Sequence, residues 1–122
     1  WHIDMFAKLL AARKVLVADY PAGDTNKTRV DAAATLFSGL GYTVVRAMMA
    51  VAHDPFATYC NAVYTNGIAF VPVYGRPEDA AGLDKYRAAG YEAAPVDCGM
   101  LIEYGGAIHC ITMPVPKPRT TS

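Results

Sequence analysis

The order in which short apolar runs, turns and glycines follow one another constrains this chain more than any other feature. Lys14–Asp19 (KVLVAD) is a Val-rich run of the kind that forms a buried strand. Tyr20-Pro21-Ala22-Gly23 breaks it. Asp24 or Thr25 can then cap a helix whose apolar positions Val30, Ala33, Ala34, Phe37 and Leu40 recur at helical spacing. Gly39 and Gly41 end that helix, and Tyr42–Met48 reads as the next strand. The second half runs in the same order. Thr58–Thr65 and Ile68–Tyr74 flank Asn66-Gly67, a hairpin turn signal because both residues tolerate positive φ. A helix starts around Gly75–Asp79, with Pro77 at its first position, Gly90 ends it, and Tyr91–Val96 follows as a strand. With His2–Leu10 as the first hairpin strand, the unit is β-β-α-β used twice, and Gly106–Pro114 (GAIHCITMP) begins a third. The fold class expected is therefore α/β, built from repeated ββαβ units in a radial or stacked arrangement that no single unit completes. Residues 1–114 form the domain and residues 115–122 a disordered tail.

Composition narrows the function classes. The 122 residues carry 11 Lys+Arg against 11 Asp+Glu, with 53% hydrophobic and 18% charged residues. One domain with a core fits those values. A zero charge balance argues against a grip on nucleic acid or an anionic membrane, and no apolar run is long enough to span a bilayer. Cys60, Cys98 and Cys110 are odd in number and far apart, which gives neither a disulfide framework nor a metal knuckle. The opening Trp1-His2-Ile3-Asp4-Met5-Phe6, with no initiator Met and no polar lead-in, reads as the start of a piece of something longer.

Few residues are placed to do chemistry. His2 and Asp4, two apart on a presumed strand, face the same way and could bind a cation and move protons around it. The plainer alternative is a solvent-facing polar pair at a terminus. Cys110 follows paired glycines, Gly105 and Gly106, which let backbone approach a ligand closely. Most free cysteines are small core residues, and a reactive one needs a base or cation nearby. On a strand His109 and Cys110 face opposite ways, so the candidate base is His2, provided the repeats bring the chain around. Asn61, disfavoured inside a strand, marks a bulge, a buried hydrogen-bond hub or a site residue, with the hub favoured. Cys60 and Cys98 read as packing residues, and the scattered tyrosines as packing rather than a stacking platform.

Three stretches, Trp1–Val17 (WHIDMFAKLLAARKVLV), Thr58–Gly75 (TYCNAVYTNGIAFVPVYG) and Gly105–Pro114 (GGAIHCITMP), resemble the C-terminal part of the Porphyromonas-type peptidyl-arginine deiminase family, which also holds the agmatine deiminases. The resemblance implies a pentein fold, a five-bladed α/β propeller of ββαβ units, of which this chain is a part. It implies that Cys110 is the nucleophile, His2 the general acid/base and Asp4 the carboxylate that holds a guanidinium, with no metal or organic cofactor. The expected partner is a small guanidinium compound or peptidyl-arginine, with self-association through open sheet edges. The family's earlier acidic residue, in a W-x-R-D-like stretch, is missing: the only Trp is Trp1. Little activity is therefore expected of these residues alone. Met113 stands where agmatine deiminases often have Gln, which tilts the expectation toward peptidyl-arginine. The rival functions are a non-catalytic propeller-type binding module and an amidinotransferase.

Overall fold

The computed structural model describes residues 2–117. Trp1 and the last five residues of the expected tail lie outside them. Eight regular elements follow one another: β1 (Ala7–Ala11), β2 (Lys14–Asp19), α1 (Lys27–Gly39), β3 (Thr43–Met48), β4 (Val63–Thr65), β5 (Ile68–Val73), α2 (Asp79–Arg87) and β6 (Glu92–Asp97). They make two three-stranded sheets, β1-β2-β3 and β4-β5-β6. In each, the first pair is antiparallel and the second parallel, with the helix as the crossover. A parallel pair requires such a crossover, and a helix is the usual one.

The central strands are buried because both faces are covered: Val15, Leu16, Val17 and Ala18 are at most 1% exposed, and Ala69 and Val71 are fully enclosed. Asn66 (φ 50°) and Gly67 (φ 81°) turn β4 into β5 with two consecutive positive φ values, the geometry that matches the twist of a hairpin. Both helices stop alike. Beyond α1 the Tyr42 N–H reaches back to the Phe37 carbonyl, and beyond α2 the Tyr91 N–H to that of Tyr86. Gly41 and Gly90, both at positive φ, make that reversal possible.

Helix starts differ from expectation. The Asp24 carboxylate does not cap α1, which begins at Lys27. One of its oxygens accepts the Asn26 N–H at 2.8 Å, the other the His53 N–H at 2.9 Å, with the His53 ring nitrogen at 3.0 Å. It thereby ties the loop after β3 to the start of α1. Pro77 lies two residues ahead of α2, where the Asp79 carboxylate takes the Tyr74 and Arg76 N–H groups and the Tyr59 hydroxyl at 2.7 Å.

Three expected strands are shorter or absent. Only Val63–Thr65 of the expected strand Thr58–Thr65 is in the sheet. The residues before it are buried and satisfied by side chains: Tyr74 donates its hydroxyl to the Thr58 carbonyl, Tyr86 to that of Tyr59, and Thr58 Oγ1 accepts the Cys60 N–H. Buried backbone must find partners, and here tyrosine hydroxyls replace a strand ladder. The expected strand from His2 is instead a 3-10 turn over Ile3–Met5, closed by the Met5 N–H on the His2 carbonyl, and β1 begins only at Ala7. Gly106–Pro114 forms no strand: His109–Ile111 is a 3-10 turn.

The two halves are joined by tyrosines. Tyr64 donates to the Leu9 carbonyl at 2.8 Å and Tyr91 to the Leu10 carbonyl at 3.1 Å. Their rings stack 4.5 Å apart, which lays the β4-β5-β6 sheet against β1.

Candidate active site

The two 3-10 turns meet on Asn61. This residue is fully buried, and burying an amide is tolerated only when its hydrogen bonds are made. Its Oδ1 accepts the His109 N–H at 2.9 Å and the Cys110 N–H at 3.3 Å. Its Nδ2 donates to Asp4 Oδ2 at 3.0 Å and to Cys110 Sγ at 3.3 Å, with the Asp4 carbonyl and Met5 Sδ both at 3.4 Å. The hub expected at this position is present, and it explains why residues 109–111 form no strand. Two N–H groups that a ladder would need are held by one side chain.

Asp4 and Cys110 are brought together. Cys110 Sγ lies 3.7 Å from Asp4 Oδ2 and 3.7 Å from Met5 Sδ. His2 and Cys110 line one cleft of about 200 Å³, with Met5, Pro55, Phe56 and Gly105. Cys110 is exposed to solvent, whereas Cys60 and Cys98 are buried. His2 and Asp4 do not share a strand face as expected. Asp4 sits within the 3-10 turn with its carboxylate turned to Asn61, and His2 stands just ahead of that turn.

His109 belongs to the cluster, contrary to the alternation argument. Its Nδ1–H donates to Asp4 Oδ2 at 2.7 Å. In a 3-10 turn successive side chains lie about 120° apart rather than on opposite faces, so neighbours can serve one site. The paired glycines ahead of Cys110 mark the thiol in the sequence, and only His109 is hidden by reading the segment as a strand. Gly105 takes φ +85°, and a methyl group on Gly106 would come within 2.8 Å of Cys110 Cβ and 2.9 Å of its Sγ. The glycine is what lets the thiol sit where it does.

Burial pushes the Asp4 carboxyl up. The His109 hydrogen bond and charge, helped by Cys110 and Asn61, outweigh this and leave it below the usual carboxylate value. It is therefore an anion at neutral pH. Its second oxygen, Oδ1, is enclosed and has no hydrogen-bond partner among the described residues. A cleft of about 450 Å³ passes Asp4, Lys8 and Tyr64. Lys8 lies over the Tyr64 ring at 4.7 Å, and burial lowers its proton affinity against the pull of Asp4. Among the described residues no three His, Cys, Asp or Glu side chains converge as a metal site requires. The arrangement offers a reachable thiol and an imidazole in one cleft, with an anionic carboxylate 3.7 Å from the sulfur and bonded to a second imidazole, a set suited to a planar organic cation attacked at carbon.

Solved structures of known proteins share this fold. A C. jejuni agmatine deiminase superposes with a TM-score of 0.79 at 18% identity, over 89% of this chain and 37% of its own. A provisionally assigned peptidyl-arginine deiminase superposes with a TM-score of 0.82 at 23% identity, over 96% of this chain and 39% of its own. A provisionally assigned arginine deiminase from Porphyromonas gingivalis gives 0.79 at 26%, over 95% and 38%. The chain thus spans less than two-fifths of the length of these proteins. No curated protein sequence matches it. The pattern that resembled a family in three separate stretches extends through the whole domain: residues 1–116 match the family described as Porphyromonas-type peptidyl-arginine deiminase, and the chain belongs to that family.

Proposed function

We propose that this chain carries the nucleophile-bearing part of a hydrolase that deiminates a guanidinium group, on peptidyl-arginine or agmatine, with its two sheets as two blades of an α/β propeller. The observation that supports this most is the approach of Cys110 Sγ to Asp4 Oδ2 at 3.7 Å, with Cys110 and His2 lining one cleft. Asp4, an anion 3.7 Å from the sulfur, would pair with the flat cation. The Cys110 thiolate adds to the guanidinium carbon. The carbon–nitrogen bond then breaks, with His2 giving its proton to the departing ammonia. Water, deprotonated by the same imidazole, adds to the resulting thiouronium. The carbon–sulfur bond breaks, returning the thiolate and leaving a ureido product. Guanidinium plus water gives urea-type product plus ammonium, and no redox step or cofactor enters.

The family's earlier guanidinium-binding carboxylate has no counterpart in these 122 residues. Turnover by them alone should therefore be slow, and rapid quenching is needed to catch the covalent intermediate. Incubation with agmatine or an arginyl peptide, acid quenching and peptide mass analysis test the reading. Cys110 should carry the substrate less one ammonia. An unmodified Cys110 with both substrates, or an adduct on another residue, would overturn it.

A further inference from the structure

We propose that Phe56 is a specificity-determining residue of the Cys110 cleft: its ring is the wall against which the apolar stem of a guanidinium substrate lies. This rests on the reading of Cys110 as nucleophile.

The cleft is polar only at its reacting end. His2 and Cys110 supply its polar side chains, and the rest of the lining comes from Met5, Pro55, Phe56 and Gly105. A guanidinium carried on methylenes matches that division, with the planar head at the sulfur and the stem on the carbon-lined side. Phe56 brings the largest apolar side chain to that side and is itself only half-buried. Gly105 leaves room beside the ring. A carbon built at its Cβ position would meet Phe56 Cζ at 3.8 Å, an ordinary van der Waals contact, so a carbon there touches the ring without crowding it.

The backbone that aims the ring is fixed. Phe56 N–H donates to Asp54 Oδ1 at 2.8 Å, and the Phe56 carbonyl accepts the Thr58 N–H at 2.8 Å. The loop between β3 and β4 is closed at its base by the Ala50 N–H on the Ala57 carbonyl at 3.1 Å. Farther along, the buried Asp24 carboxylate accepts the His53 N–H at 2.9 Å, with His53 in the left-handed region at φ 64°. The Tyr20 hydroxyl meets the Asp54 carbonyl at 3.4 Å. A wall held at these points is formed before the substrate arrives, and a preformed wall lets one side chain discriminate between stems.

The test uses two neutral reagents of the same chemistry, iodoacetamide and N-butyl iodoacetamide, so that no cation and no turnover are involved. Each rate of Cys110 alkylation is divided by the rate with a free thiol in solution. Burial of two methylenes of the butyl chain should favour the longer reagent by about tenfold in the unmutated protein. Phe56→Ala should bring that preference down to about twofold or less, while Phe56→Leu, which keeps an apolar side chain, should hold it near about fivefold. A folded unmutated protein with no preference, or a preference that survives Phe56→Ala, would overturn the proposal. So would Phe56→Leu losing the preference as fully as Phe56→Ala, because apolar surface would then not be what counts. Should the alanine variant not fold, the unmutated protein decides. With Cys110 carrying the butyl group, its methylene protons should show nuclear Overhauser contacts to the Phe56 ring, and their absence would overturn the proposal. An intact Phe56 dependence without any agmatine or arginyl adduct on Cys110 would instead strike only the functional reading.

Discussion

Gly106→Ala puts the geometry of the thiol under direct strain. The added Cβ would stand 2.8 Å from Cys110 Cβ, which is about 0.7 Å short of an ordinary carbon–carbon contact. Cys110 Cβ moves only with its backbone, and that backbone is pinned by Asn61 Oδ1 at 2.9 and 3.3 Å. A shift of about 0.7 Å would stretch both bonds beyond useful length and carry Sγ away from Asn61 and Asp4. Overpacking of this kind costs about 1–3 kcal/mol, and a misplacement near 1 Å costs about a hundredfold in rate. Thermal melting followed by circular dichroism should fall by about 4–12 °C, at roughly 4 °C per kcal/mol for a chain of this size. Covalent labelling of Cys110 by chloroacetamidine should slow by about a hundredfold. An alanine variant that melts and labels like the unmutated protein would refute the claim that Gly106 sets the position of the thiol.

Other perturbations probe the frame. In Gly82→Ala the new methyl would lie 2.5–2.9 Å from the Tyr59 ring, so α2 loses about 1–3 kcal/mol despite the better helix propensity of alanine, and thermal melting should show a net drop. Burial pushes the Cys60 thiol up to about 12 and raises that of Cys98. At pH 8 a thiol reagent should thus titrate one group in the native protein, Cys110, and all three in denaturant. The Asp4 carboxyl, lowered in the fold below its unfolded value of about 3.9, contributes stability that is complete above that value and lost as pH falls through the folded one. Asp4→Asn should flatten the fall in melting temperature between pH 5 and 2, and an unchanged slope would contradict the linkage.

What could be read from the sequence follows from local chemistry. Val-rich runs, helical spacing and glycines at helix ends act over a few residues, so β2, α1, β3, β5, α2 and β6 stand close to where the pattern puts them. Resemblance then pointed to His2, Asp4 and Cys110. Two of the three segments that failed are those where a distant side chain takes the backbone's hydrogen bonds; the third, from His2, closes a local 3-10 turn on its own backbone. Tyr74 and Tyr86 satisfy the stretch before β4, and Asn61 satisfies the turn at Cys110. Nothing in a window of ten residues announces such a partner. That is also why strand alternation puts His109 on the wrong face: the shape of its turn is decided 48 residues away. Asn61 was legible as an anomaly, a polar amide among strand formers, although its partners were not.

The central claim is that the Cys110 sulfur and the Asp4 carboxylate serve one flat cation. The direct measurement is the ratio of Cys110 labelling rates by chloroacetamidine and by neutral chloroacetamide, each divided by the rate with a free thiol in solution. A charge-assisted contact is worth about 1.5–3 kcal/mol, so the ratio should favour the cation by about tenfold or more and fall toward one in Asp4→Asn. Equal labelling by the two reagents, or a preference that survives Asp4→Asn, would contradict it.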